Sequence, residues 1–191
     1  MKESFFNRTF FWWGIYYGIA SVLIFLIEYF VFPSLLSNSI ASTIVSIFPL
    51  VLFMTFAGIA EKKKQGGFLS FGKTFQTMFF TALIGIIIFT IFSHFFNTYY
   101  APEYVTEIYE KEMVKAREKM EEKGMSDDEI EKAMKLTESF FKMKDSIVFK
   151  LIGLAVMAGM AAVVALLTAL FVRKEPPINY FDETQIIEKE N

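Results

Sequence analysis

The sequence predicts an all-α, polytopic membrane protein with four transmembrane helices and an extracytoplasmic helical hairpin between spans 3 and 4. Three observations carry this prediction. Of the 191 residues, 54% are hydrophobic and 18% aromatic, and the mean hydropathy is +0.41, too apolar for an ordinary soluble domain. The apolar residues gather in four runs, each long enough to cross a bilayer. Most of the charged residues collect in one segment, Asn97 to Ser146.

Composition also limits the chemistry. The formal net charge is only -2, so no overall basic field points to nucleic acid. Cysteine is absent and His94 is the single histidine, which removes disulfides, thiolate metal sites and any histidine-rich metal centre within one chain. No metal site and no cofactor is expected.

The first run, about residues 10–32, is broken only by Glu28. Its roughly 23 residues rise about 34 Å as a helix, enough for the hydrocarbon core. A signal peptide has a shorter apolar region and a small-residue cleavage site; neither is present before Pro33, so an uncleaved span is expected. Trp12, Trp13, Tyr16 and Tyr17 crowd its first turns, as amphipathic rings do at a headgroup interface. A short serine-containing connection leads to the second span, about 40–60. Pro49 lies inside it and cannot donate to the carbonyl of Val45, so a kink is expected there.

Glu61 to Thr74 carries Lys62, Lys63, Lys64 and Lys73. The connection between the first two spans has no basic residue. Under the positive-inside rule the lysine loop is cytoplasmic, and so are both termini; Lys2, Arg8, Arg173 and Lys174 agree. The third span covers about 74–96 and the fourth about 147–172. Residues 97–146 then fall outside the cytoplasm, with thirteen acidic and nine basic residues, a segment long enough to obey the charge rule weakly.

Within that segment a helical hairpin is expected over about 102–145. Pro102 and Glu103 suit a first helical turn, and Val105, Tyr109, Met113, Ala116 and Met120 recur at helical spacing. Gly124 is a stop, and Ser126 with Glu129 forms a capping-box pattern. Ile130, Ala133, Met134, Thr137 and Phe141 give the second helix its apolar stripe. Residues 1–174 form a single membrane domain, and 175–191 a polar cytoplasmic tail.

Gly67 to Thr74, GFLSFGKT, fits the phosphate-loop pattern G-x-x-x-x-G-K-[ST]. A nucleotide site needs a strand before the loop and a soluble α/β domain around it. An apolar helix precedes it here, so the match is read as chance, with no nucleotide bound. No serine-hydrolase, metalloprotease or paired intramembrane aspartate pattern is present, and no catalytic residue is expected.

The ionisable groups within the spans are the candidate functional residues. Glu28, His94 and Lys150 fall at similar depth in one leaflet, where charge is expensive unless paired, wetted or able to snorkel. They form the candidate polar cluster. Small residues mark candidate helix contacts: Gly14 with Gly18 in the first span, and Ala155 with Gly159, Ala158 with Ala162 and Ala161 with Ala165 along the fourth.

The order of the four spans, the GGFLSFGKTF string after the second, the Pro102-Glu103 step after the third and the Arg173-Lys174 stop after the fourth together resemble the domain of unknown function (DUF) family 4199 over roughly residues 8–174. The resemblance implies a small bacterial inner-membrane protein of the Bacteroidota, and no catalytic or binding residues come with it. The expected function is a non-catalytic accessory or scaffold subunit of a membrane complex, with the bilayer and another protein as partners. The alternative is a binder or transporter of a small solute, ion or lipid that uses Glu28, His94 and the Pro49 kink.

Overall fold

The computed structural model describes residues 8–33, 39–143 and 146–175. Lys2, Asp145 and the tail from Pro176 onward lie outside these residues. Among the described residues there are six α-helices: α1 Thr9–Phe30, α2 Ser39–Lys64, α3 Phe71–Phe95, α4 Pro102–Glu122, α5 Asp127–Lys142 and α6 Ile147–Val172. A five-residue π-helical turn, Phe96–Tyr100, joins α3 to α4.

Four of these helices are long and apolar enough to cross a membrane: α1, α2, α3 with its π turn, and α6. Only 22–28% of each apolar stretch is buried within the chain, while Ile44, Phe48, Val163, Leu167 and Phe171 are exposed. A helix apolar on every side but buried on one needs hydrocarbon around the rest.

α3 is the central helix, packed against α1, α2 and α6. Its contact with α1 is close because glycines stand on both sides. A Cβ at Gly14 would lie 2.6 Å from Ile84 Cβ, and one at Gly18 2.8 Å from Ile88 Cβ. In return Gly85 of α3 receives the ring of Tyr17. Tyr17 is therefore a core residue at 8% exposure, set against Phe53 of α2, and not part of an interfacial belt. Trp13 likewise packs on Phe53 and Phe56, whereas Trp12 is exposed.

α6 meets the bundle through Ala161, Ala165 and Ala169, all buried together with Met54 and Met78. Ala155 and Gly159 lie on its exposed side, and nothing stands within 4 Å of a Cβ built at Gly159. The small-residue spacing repeats along α6, and the chain uses the repeat nearer the lysine loop.

At the end of the bundle that bears the lysine loop, α2 continues past the expected boundary to Lys64. Gly66 and Gly67, at φ +76° and +93°, reverse the chain. Leu69 then forms an antiparallel bridge with Lys174, N–H to carbonyl in both directions at 2.7 and 3.0 Å. Lys62 donates to the Val172 carbonyl at 2.8 Å, satisfying one of the open carbonyls that a helix C-terminus leaves. At the opposite end α4 begins directly after the π turn, where Ala101 N–H reaches back to the Phe96 carbonyl at 2.9 Å. α4 and α5 touch through the stacked rings of Tyr109 and Phe141, 3.7 Å between centroids, with Ile130 buried at 2% exposure. The turn into α5 is capped: Ser126 N–H donates to Glu129 at 3.0 Å, and these hydrogen bonds hold the Glu129 carboxyl below its ordinary range.

Candidate functional site

A cavity of about 400 Å³ opens in the half of the bundle nearer α4. All four spans line it, and α4 lies over it with Tyr104 and Ile108. Most of its wall is apolar. Its polar groups come from α1 (Tyr17, Ser21, Glu28), from α2 (Ser42, Ser46) and from α4 (Tyr104). Pro49 and Val45 are also in the wall, and the Val45 carbonyl is the one whose i+4 donor the proline lacks. α2 remains helical through Pro49 to Lys64.

Glu28 is the group that sets this cavity apart. It is 6% exposed, and its Oε1 is buried with no hydrogen-bond partner among the described residues. The neighbouring serines do not relieve it, because Ser21 donates to the Tyr17 carbonyl and Ser46 to the Ser42 carbonyl, both at 2.9 Å within their own helices. A buried carboxyl oxygen left without a donor is costly, on the order of 1–3 kcal/mol. Such a group marks a site open to a donor that the described residues do not supply.

An aromatic wall ties α1 to the π turn and to the start of α4 above the cavity. Phe96 stands edge-on to Phe25 and Tyr29, at 5.2 and 5.0 Å between centroids, and Tyr29 meets Tyr104 at 5.1 Å. The π turn supplies the extra residue that brings Phe96 and Tyr104 to the same wall; such bulges are frequent at functional sites. Burial first, then the Glu28 carboxylate, then Tyr29, push the Tyr104 hydroxyl up to about 12.

That shift has a pH signature. Below pH 10 the phenol is neutral in both folded and unfolded chains. Between about pH 10 and 12 the unfolded chain loses this proton and the folded one keeps it, so stability falls across that window. Thermal melts at pH 9, 10 and 11 are expected to drop more steeply for the wild type than for Tyr104→Phe. Parallel slopes would contradict the shift.

The expected cluster of Glu28, His94 and Lys150 is divided between two cavities. His94 and Lys150 line a second one, of about 360 Å³, between α3, the π turn, the start of α4 and α6. Phe89 and Met157 line both, so the two lie side by side with these residues as the partition. The sequence places the three at similar depth along their helices, but the direction in which each residue faces cannot be read from it. The largest cavity described, about 740 Å³, runs along α4 between mixed charges that include Glu103, Glu107 and Lys111; it holds no buried unpartnered group of the Glu28 kind among its lining residues.

The phosphate-loop look-alike has its own geometry. Helix α2 precedes it, Leu69 is tied to Lys174, and Thr74 is fully buried with its hydroxyl donated to the Ser70 carbonyl at 2.9 Å. Lys73 Nζ is 3.4 Å from Gln65 Oε1. Lys174 and Arg173 lie over the Phe68 and Phe71 rings at 5.4 and 5.8 Å. Lys63 and Lys64 are exposed at the end of α2. The Leu69 backbone holds the loop onto the end of α6, while Thr74 and Lys73 bond to Ser70 and Gln65 within the same turn region.

No group of three or more potential metal ligands occurs among the described residues. A family model described as a protein of unknown function (DUF4199) matches residues 12–174. No curated protein matches the chain, and no solved structure does.

Proposed function

Since the chain belongs to the DUF4199 family, whose description assigns no activity, we propose from its geometry that it is a membrane-embedded binding protein. It holds a small ligand with an apolar body and a cationic or hydrogen-bond-donating group against Glu28. The single observation behind this reading is the buried, unpartnered Glu28 oxygen in a cavity lined by all four spans. The apolar wall takes the body of the ligand and Glu28 fixes its orientation, the usual division of labour in a small-molecule site. Native mass spectrometry of gently extracted protein tests it. A non-protein mass retained by the wild type and lost from Glu28→Gln supports the reading, and a bare chain in both refutes it.

An accessory or scaffold role in a membrane complex is the second reading. It is favoured by the outward side of α6, where Gly153, Ala155 and Gly159 are exposed and nothing lies within 4 Å of a Cβ built at either glycine. Small residues of this kind let another helix approach closely. Stoichiometric co-purification of a second membrane protein, lost on Gly159→Leu, would move the assignment to this reading.

The proposed orientation has the lysine loop in the cytoplasm of a bacterial inner membrane and α4 and α5 outside. The absence of cysteine makes single-cysteine labelling a direct check. In intact cells an impermeant maleimide is expected to label Lys119→Cys and to spare Lys63→Cys; the reverse pattern inverts the topology.

A further inference from the structure

The second cavity carries an inference independent of Glu28. We propose that it binds a phosphate-bearing anion, seated there as the headgroup of a lipid. Two basic side chains line it, Lys150 from the first turn of α6 and His94 from the last turn of α3, and no carboxylate does. Neither makes an ion pair with the described residues. Two basic or donating groups that line one cavity, with no carboxylate among its described lining residues, match a phosphate, and basic pockets between membrane helices can seat lipid headgroups. Both residues are exposed, so a headgroup can reach them from the lipid side while the cavity they line takes its polar end.

Two further features narrow the ligand. One end of the Asn97 amide bonds to Ser93 Oγ at 3.2 Å, and the other end, buried, has no partner among the described residues. A headgroup with a hydroxyl beyond its phosphate supplies that partner, as phosphatidylglycerol does. The cavity also reaches the lipid-facing side of α6. Gly153 lines it and carries no side chain to close it, and the residues before it, Leu151 and Ile152, are exposed at 58% and 56%. Acyl chains can therefore leave along α6 while the phosphate stays between Lys150 and His94. The first cavity is unsuited to the same ligand, because Glu28 would repel it; Phe89 and Met157 keep the two apart.

Delipidated full-length protein in a neutral detergent is titrated with phosphatidylglycerol, phosphatidylcholine and inorganic phosphate and read by native mass spectrometry. Wild type is expected to hold phosphatidylglycerol about tenfold more strongly than phosphatidylcholine, which has the same phosphate but adds a choline cation that the basic side chains disfavour and lacks the hydroxyl for Asn97. The double variant Lys150→Gln, His94→Gln is expected to lose that preference. Gly153→Leu, which leaves both basic side chains in place and fills the mouth, is expected to lose phosphatidylglycerol too, and it serves where the double variant does not fold. Equal binding of the two lipids by wild type overturns the proposal, as does an undiminished preference in the variants. Displacement of the lipid by millimolar inorganic phosphate overturns the lipid assignment and makes free phosphate the ligand.

Discussion

Glu28→Leu is expected to leave ligand-depleted protein at least as stable as wild type, and up to about 1–3 kcal/mol more stable, while abolishing retention of the bound molecule. The two effects have one cause. Glu28 is 6% exposed and its Oε1 meets no donor among the described residues, so the folded chain carries a desolvated polar group for which leucine has no counterpart. Leucine also suits the apolar wall formed by Ile24, Phe25 and Ile86. An anchoring carboxylate predicts the opposite, since removing one partner of a buried polar pair is strongly destabilising. Thermal melts of delipidated wild type and variant separate the two: a fall in melting temperature for Glu28→Leu would assign Glu28 to structure. The comparison requires ligand-free samples, because a ligand bound only to the folded state raises the apparent stability of wild type.

Gly85→Ala is expected to cost about 1–3 kcal/mol or more, the largest effect among the glycine-to-alanine changes, since its added Cβ meets the tightest contact. A Cβ at Gly85 overlaps Cδ1 of Tyr17, the ring carbon next to its stem, and Tyr17 is locked between α3 and Phe53 of α2. The ring can yield only toward the cavity that it lines, so the same methyl group is expected to weaken ligand retention. Gly153→Ala is the control, with nothing within 4 Å of its Cβ and a gain of about 1 kcal/mol in helix propensity. Combining Gly85→Ala with Tyr17→Ala should recover part of the loss, since the two share one contact. A Gly85→Ala variant that melts with wild type would mean that α1 and α3 are not in register as described.

The four spans were legible because hydropathy is summed over some twenty residues and survives local error. The end of α2 was not. The charges of Lys62, Lys63 and Lys64 mark where an apolar stretch stops, whereas the helix itself runs on to Lys64 and places Lys62 under the Val172 carbonyl. Glu28 was legible as a costly residue, since an acid in an apolar run is conspicuous whatever surrounds it. Its surroundings were not, because spans that are apolar on every side carry little information about which way a given residue faces. Tyr104 shows the same limit: it lies 76 residues from Glu28 in sequence and reaches the cavity through the π turn Phe96–Tyr100, for which the string FNTYY gives no spacing signal. Gly14 and Gly18 could be paired with each other by spacing, but not with Ile84, Ile88 and, through Tyr17, Gly85.

Whether Glu28 meets a ligand is read most directly from an experimental density map of the protein in lipid nanodiscs, extracted without exchange into harsh detergent. Non-protein density in the cavity between Pro49 and Tyr104, within hydrogen-bonding distance of Glu28 Oε1, is the expected result. A cavity closed by side chains, with Glu28 turned onto a protein donor, would contradict the binding function at its root.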